Sequence, residues 1–220
     1  LPGVFGSQYF YLTDGGAGIQ IYQSKKDFPP LVVGDSVQIY GTVSSANGIK
    51  RINIKSKDDV DILSVGNNVA SAELNVDEID ESLAGGLAQT QGEITEIKSN
   101  FMYLDNGSGE IVIYFKQGAK IDKSKFLEGE NARITGILEQ TKTGWQIWPR
   151  SNDDLESMGP SEDLLKKQTL SAGSDTKEKY LTATAGGVTT LLLAFFAKAR
   201  GAFLKRGILT LIGFIRKNKA

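Results

Sequence analysis

The sequence contains neither cysteine nor histidine, and each absence removes a class of chemistry. Without cysteine the chain has no thiolate nucleophile and no disulfide, and without histidine it has no imidazole acid, base or metal ligand. Most protein zinc sites use one or both of these residues. We therefore expect the chain to carry no metal and no other cofactor.

The signatures of common enzymes are missing as well. The sequence has no nucleophile elbow, phosphate-binding loop or dinucleotide fingerprint, and the glycines of residues 15–18 fit a hairpin turn. Acid–base catalysis needs titratable groups that converge on one point. The acidic candidates are Asp58-Asp59, residues 77–81 and Asp153-Asp154, and no nucleophile or ligand spacing surrounds them. We therefore expect the protein not to be an enzyme.

Charge is nearly balanced in total but is unevenly placed along the chain. The formal net charge is −1. Residues 1–160 hold 14 Lys/Arg against 22 Asp/Glu, a net of −8, whereas residues 161–220 hold 11 against 4, a net of +7. The acidic part argues against strong non-specific binding to phosphate backbones, because that binding depends on the number of lysines and arginines.

A hairpin pattern occurs twice, as YLTDGGAGIQIY at residues 11–22 and as YLDNGSGEIVIY at residues 103–114, 92 positions further along. Each copy has a short alternating apolar run, an Asp-Gly or Asn-Gly turn and a second alternating run. This combination is a strong local signal for a β-hairpin. The duplication predicts a duplicated domain.

A second correspondence, 95 positions apart, links residues 34–43 with residues 129–138. The second repeat begins with a long predicted strand at about residues 88–98, and the first repeat has no counterpart to that strand. We therefore expect the chain to be a fragment whose first strand lies upstream of Leu1. The alternative is that another segment of the chain fills the gap.

Five short strands with a helical spacer between the third and the fourth resemble the OB-fold, a partly open Greek-key barrel. The resemblance is carried by YFYLTD at residues 9–14, GDSVQIYGTV at residues 34–43 and Asn47-Gly48, and it covers about residues 1–155. These phrases are similar to nucleic-acid-binding OB domains of the anticodon-binding and exonuclease VII large-subunit type. Similar tandem units occur in bacterial surface proteins.

The resemblance implies a binding face on strands two and three of each repeat, where aromatic rings stack on bases or sugars and cations flank the backbone. Aromatics on barrel strands also serve as core or cross-strand pairs, and that alternative stays open for each ring. The residues carried over by position are Tyr9, Tyr11, Gln20, Tyr22, Lys25 and Lys26 in the first repeat, and Phe101, Tyr103, Tyr114, Lys116, Lys120, Trp145 and Trp148 in the second.

The tail contains an uncharged run of 18 residues at 180–197 (YLTATAGGVTTLLLAFFA), close to the minimum length of a membrane-spanning helix. Four cations follow it between residues 198 and 206. The pattern predicts a single-pass transmembrane helix with a cytoplasmic C-terminus and the OB domains outside the cytoplasm. The shorter apolar run at 208–215 is expected at the membrane interface. The alternative for both runs is a buried or surface helical hairpin.

The predicted fold is mainly β, with two tandem OB-fold barrels, the first lacking its first strand, and a C-terminal transmembrane helix. The predicted function is non-catalytic binding of nucleic acid, with single strands favoured, by a protein anchored to a membrane. The alternatives are a cell-surface adaptor for protein or glycan and an ancillary domain of a surface nuclease.

The sequence divides into six predicted segments. They are an OB domain at 1–64, a linker at 65–73, an OB domain with a leading short helix at 74–157, a polar linker at 158–179, the membrane helix at 180–197 and a basic tail at 198–220.

Overall fold

Alternating apolar residues and tight turns produce short strands throughout the part of the chain that can be described. A computed structural model describes residues 1–14, 16–46 and 48–166. Six strands belong to the first repeat: β1 (Tyr9–Asp14), β2 (Ala17–Tyr22), β3 (Ser36–Ile39), β4 (Thr42–Ala46), β5 (Ile49–Asn53) and β6 (Val60–Ser64). Seven follow: β7 (Ala72–Glu73), β8 (Leu87–Ile97), β9 (Phe101–Asp105), β10 (Glu110–Tyr114), β11 (Glu130–Thr141), β12 (Gly144–Trp148) and β13 (Leu155–Pro160).

The second repeat closes into a five-stranded barrel. Strand β8 pairs with β9, β9 with β10, β10 with β12, β12 with β11, and β11 returns to β8. Only the β10–β12 pairing among these is parallel. This is the strand order of an OB-fold. The side chains that alternate inward along these strands are almost completely buried, namely Ile94, Met102, Leu104, Ile113, Ile134, Leu138 and Ile147.

The first repeat has the same pairings without closure, so the predicted fold class of two tandem barrels is wrong. Its strands form an open four-stranded sheet in the order β1-β2-β5-β4 and a separate β3–β6 ribbon. Within the described residues, no strand lies between β1 and β3 in the position that β8 occupies in the second repeat. A barrel needs that strand because it joins the two edges of the sheet.

The predicted membrane-spanning helix at 180–197, the apolar run at 208–215 and the basic tail at 198–220 lie outside the described residues. Among the residues that the structure describes, no helix is long and apolar enough to cross a membrane. The described chain ends in a short helical segment at 162–166.

The predicted short helix over residues 74–87 is replaced by two 3₁₀ turns, Val76–Glu78 and Glu81–Leu83. The apolar residues of this segment still pack against the barrel core, with Leu74 only 6% exposed. The turns stay separate because the Asp80 side chain accepts a hydrogen bond from the Ser82 backbone N–H at 2.7 Å. Aspartate in this role competes with helix propagation.

Strands β6 and β13 were not predicted, although a repeated pattern precedes them. Ser56 and Ser151 each cap a 3₁₀ turn, Lys57–Asp59 and Asn152–Asp154, and the strand follows directly. Strand β6 pairs with β3, as β13 pairs with β11. The two segments therefore resemble each other beyond their hairpins.

The two repeats belong to one compact unit and meet through glycine backbone. A Cβ atom placed on Gly18 would lie 1.8 Å from the carbonyl oxygen of Gly85, and one on Gly86 would lie 1.7 Å from that of Gly16. Only glycine allows main chains to approach so closely. The β1–β2 hairpin is therefore seated directly against the segment that leads into β8.

Replacing Gly18 with alanine tests this contact. The new methyl group meets backbone, which cannot move aside as a side chain can, so we expect Gly18→Ala to lower the free energy of unfolding by about 3 kcal/mol. Gly109→Ala is the control, because its methyl group would meet only the Val76 side chain, at 3.0 Å, and we expect a loss below about 1 kcal/mol. Urea unfolding measures both, and equal losses would show that the close approach is unimportant.

Candidate nucleic-acid interface

The outer face of the second barrel carries a row of aromatic rings. Phe101 and Tyr103 are half-buried on β9, and they alternate with Met102 and Leu104, which point into the core. Tyr114 lies beside Phe101 in register on β10. Because successive side chains of a strand point to opposite faces, these rings share the outer face. We call Phe101, Tyr103, Tyr114 and the nearby Lys116 the aromatic face.

The geometry of the aromatic face is specific. The rings of Phe101 and Tyr103 pack edge to face, with centroids 5.5 Å apart and planes at 87°. The Asn100 Nδ2 group donates to the hydroxyl of Tyr114 at 3.2 Å. The Lys116 Nζ atom lies 5.1 Å from the centroid of the Tyr114 ring and 3.6 Å from that of Trp148. A cation over ring faces is held by the ring quadrupole.

Lys116 lies in a partly desolvated position. Burial lowers the pKa of its ammonium group, and the negative charge of Glu139 opposes that shift. Trp148, which lies beneath it, is 6% exposed, and its Nε1 group donates to Gln146 Oε1 at 3.0 Å. Trp148 thus anchors the cation from below and presents little surface of its own.

Tyr9 and Tyr11 lie in the seam between the repeats. The Tyr11 ring packs at 6.4 Å from Trp148 and at 6.0 Å from Phe5, centroid to centroid. The Tyr9 hydroxyl donates to the Phe5 carbonyl oxygen at 2.8 Å. Phe5 and Trp148 are themselves buried in one cluster with Leu87 and Ile137. The outer aromatics of β1 therefore cover part of the outer face of the second barrel.

A buried carboxylate completes the seam. Glu139 is 3% exposed, and its Oε2 atom accepts a hydrogen bond from the Tyr11 hydroxyl at 2.7 Å. Gln20 Nε2 donates to that hydroxyl at 3.4 Å. Burial raises the pKa of Glu139, while the Tyr11 bond and the charge of Lys116 lower it in part. Burial and the neighbouring Glu139 raise the pKa of Tyr11 far above its ordinary value.

The other predicted residues are more dispersed. Lys25 and Lys26 are exposed in the loop after β2, and Lys120 is exposed after the Gln117–Ala119 turn. Trp145 packs against the barrel core. Tyr22 is half-buried, and the guanidinium of Arg51 lies over its ring.

Arg51 and Asn100 were not predicted as part of the site. The Arg51 guanidinium lies 4.2 Å from the centroid of the Tyr22 ring. It reaches that ring because β5 pairs in parallel with β2, with Arg51 opposite Gln20. A parallel pairing between distant strands leaves no local signal in the sequence. Asn100 lies in the β8–β9 turn, and an asparagine there reads simply as a turn residue.

The acidic pairs considered as catalytic candidates stabilise turns. Asp59 Oδ2 accepts hydrogen bonds from the backbone N–H groups of Lys55 at 2.7 Å and Ser56 at 3.0 Å, and these bonds lower the pKa of Asp59. Asp154 accepts from the Arg150 guanidinium at 2.6 Å. Among the described residues, no group of three or more acidic side chains is arranged to hold a metal ion.

No protein-family model matches the chain. No curated protein matches it either. Several solved structures resemble part of it. The second OB-fold domain of replication protein A from Methanococcus maripaludis aligns with a TM-score of 0.32 and 14% identity, over 41% of this chain and 98% of that domain.

Two further structures have similar coverage. The telomere capping protein Ten1 from Saccharomyces pombe aligns with a TM-score of 0.32 and 12% identity, over 49% of this chain and all of Ten1. An OBody bound to hen egg-white lysozyme aligns with a TM-score of 0.35 and 16% identity, over 42% of this chain and all of the OBody. With overlaps this limited, the OB topology of the second repeat rests on its own strand pairings.

The buried Glu139 predicts a pH dependence of stability. The pKa of Glu139 in the folded state is raised above 4.5. Its contribution to the free energy of unfolding is therefore fully present below that pH and is lost as the pH rises through the folded pKa. Glu139→Gln removes the ionisation and keeps an oxygen acceptor for Tyr11. We expect the variant to gain stability relative to the parent protein between pH 4.5 and pH 7.

Chemical unfolding at a series of pH values measures this difference. Glu73→Gln, which alters an exposed carboxylate, serves as the control for the loss of one negative charge. A constant difference between parent and Glu139→Gln across the range would contradict the assignment of Glu139 as a buried, destabilised carboxylate.

Proposed function

We propose that this protein binds single-stranded nucleic acid, without catalysing a reaction on it, through the aromatic face of the second barrel. The observation that carries the proposal is the placement of Phe101, Tyr103 and Tyr114 on the outer side of β9 and β10 with Lys116 beside them. In OB-folds the outer side of these two strands is the surface that takes oligonucleotides.

The chemistry of the face suits bases more than phosphates. Phe101 and Tyr103 offer ring edges and faces on which successive bases stack, and every base has a π-face, so this recognition tolerates many sequences. Lys116 lies at one side of the face, over the rings of Tyr114 and Trp148, and the charge of Lys98 interacts with Tyr103. Residues 1–160 carry a net charge of −8, so electrostatic attraction to a polyanion contributes little.

The face of the first repeat is proposed to play a smaller part in binding. Tyr9 and Tyr11 are packed against Phe5 and Trp148, which leaves Tyr22 with Arg51 as the first repeat's aromatic and cation pair. A nucleic-acid strand bound to the aromatic face would lie on the second barrel. The proposal therefore places the binding site on the second repeat alone.

Fluorescence anisotropy of labelled single-stranded DNA and RNA, titrated with the full chain, tests the proposal. We expect saturable binding. The logarithm of the binding constant should fall with the logarithm of salt concentration at a slope of about −0.7 to −1.4, because only one or two phosphates of a single strand are neutralised. A labelled duplex and an oligosaccharide run in parallel. Binding of the oligosaccharide alone would favour the glycan-binding adaptor.

Substitution of the stacking rings locates the site. We expect Tyr103→Ala and Phe101→Ala each to weaken binding about tenfold, since one stacked base contributes about 1–3 kcal/mol. Tyr40→Ala is the matched control, because Tyr40 is 51% exposed in the first repeat and lies outside the aromatic face. No binding of DNA or RNA at low salt by the folded chain, or equal losses in all three variants, would contradict the proposal.

A further inference from the structure

A polar cleft lies where the two repeats meet, at the end of β11. Its volume is about 490 Å³, which is in the range of small-molecule sites. Residues of β1, β2 and β5 line one side of it, and the segment before β8 and residues 139–142 line the other. We call this space the inter-repeat cleft. Both repeats contribute side chains to it.

The floor of the inter-repeat cleft presents hydrogen-bond acceptors. Glu139 lines it and is 3% exposed. Its Oε2 atom accepts from the Tyr11 hydroxyl at 2.7 Å, whereas its Oε1 atom accepts from no described residue and is not sealed from solvent. Gln20, which is 7% exposed, donates from Nε2 to the same hydroxyl at 3.4 Å, and its Oε1 atom remains a second acceptor.

The carboxylate of Glu139 is not needed by the fold. Ser44 lies 95 positions earlier and takes the same place in the first repeat, since Ser44 pairs with Arg51 as Glu139 pairs with Gln146. A buried carboxylate with a single hydrogen bond costs stability, and burial raises the pKa of Glu139. Buried ionisable groups of this kind are concentrated at functional sites.

The acceptors on the floor require a ligand with neighbouring donors. Guanine is the only nucleobase with two adjacent N–H donor groups, N1–H and the N2 amino group. Adenine and cytosine each have a ring acceptor beside their amino group, and thymine has one N–H group between two carbonyl groups. A carboxylate has about four lone-pair positions, so Glu139 can accept from guanine while it keeps its bond to Tyr11.

The rim of the inter-repeat cleft carries cations for a phosphate. Lys50 and Lys142 line the cleft and are exposed, and neither forms an ion pair with another described residue. Glu81 is exposed on the same rim, so the rim has two positive charges and one negative charge. An anionic group is therefore better placed at the rim than at the acidic floor.

The inter-repeat cleft adjoins the aromatic face. Tyr11, which lines the cleft, packs against Trp148 with ring centroids 6.4 Å apart. The Lys116 Nζ atom lies 3.6 Å from the centroid of Trp148 and 5.1 Å from that of Tyr114. A nucleic-acid strand stacked on the aromatic face can therefore extend past Lys116 to the cleft.

We propose that the inter-repeat cleft binds one guanine of a single strand whose neighbouring bases stack on the aromatic face, with the Glu139 carboxylate accepting from guanine N1–H and the N2 amino group. This inference rests on the proposed function and extends it. Stacking tolerates every base, whereas the cleft selects one. The stacking surface belongs to the second repeat, and the first repeat contributes Gln20 and Lys50 to the base-selecting contact.

Fluorescence anisotropy with three labelled strands, titrated with the full chain, tests the proposal. Each strand is an oligothymidine of about eight nucleotides whose central base is guanine, hypoxanthine or thymine. Hypoxanthine differs from guanine only by the absence of the N2 amino group. We expect the guanine strand to bind about tenfold more tightly than the hypoxanthine strand, because one hydrogen bond to a charged group is lost. We expect the thymine strand to bind no better than the hypoxanthine strand.

The Glu139→Gln variant assigns the preference to the carboxylate. The glutamine amide replaces one acceptor oxygen with a donor, so we expect the ratio of the guanine to the hypoxanthine affinity to fall from about ten to about one. Binding of the thymine strand should not change. Glu73→Gln is the charge-matched control, because Glu73 is exposed outside the cleft, and it should keep the full preference. Circular dichroism shows whether both variants are folded.

Each remaining outcome separates this inference from the proposed function. Equal affinity of the parent chain for the three strands would overturn the guanine site and leave stacking on the aromatic face in place. Retention of the full guanine preference by Glu139→Gln would also overturn the site, since another group would then select the base. Failure of all three strands to bind would overturn both the site and the proposed function.

Discussion

Closure of the barrel depends on one continuous strand. The first part of β11 pairs with β8 and its last part pairs with β12, so β11 joins both halves of the sheet. At its centre a Cβ on Gly136 would lie 2.6 Å from the backbone of Trp148, and the tight crossing therefore requires glycine. Gly41 occupies the same place in the first repeat, where a Cβ would lie 2.6 Å from the Asn53 carbonyl oxygen. The local geometry is preserved, yet the strand divides there into β3 and β4, because no described strand is present to pair along its first half.

The aromatic residues fall into two groups: one packs in the seam between the repeats, and the other lies at the surface of the second barrel. Phe5 and Tyr11 pack on Trp148 and bury it, and rings in such contacts contribute mainly area burial and edge-to-face attraction to stability. Phe101 and Tyr103 stay at the surface of the same barrel. A sequence pattern that places tyrosines on equivalent strands cannot separate the groups, because the division depends on which face of one repeat meets the other.

The sequence was sufficient to predict what is local. Both hairpins were predicted, since the Asp-Gly and Asn-Gly signals and the alternation act within a few residues, and the duplication indicated the order of the strands. The features that the sequence did not predict depend on pairing between distant strands or on side-chain caps that compete with helix formation. The parallel β2–β5 pairing, which brings Arg51 to Tyr22, has no local signature. Residues 74–87 have helical spacing, but Asp80 caps its own turn and the segment forms 3₁₀ turns that still bury Leu74.

The acidic character of the described chain constrains the proposed recognition. Lys116 already lies over the Tyr114 and Trp148 rings and within the field of Glu139. Part of its charge is therefore balanced inside the protein before any ligand arrives. The proposed recognition must then come from interactions that do not depend on net charge. Stacking on half-buried rings is such an interaction, because it does not require the partner to be an anion.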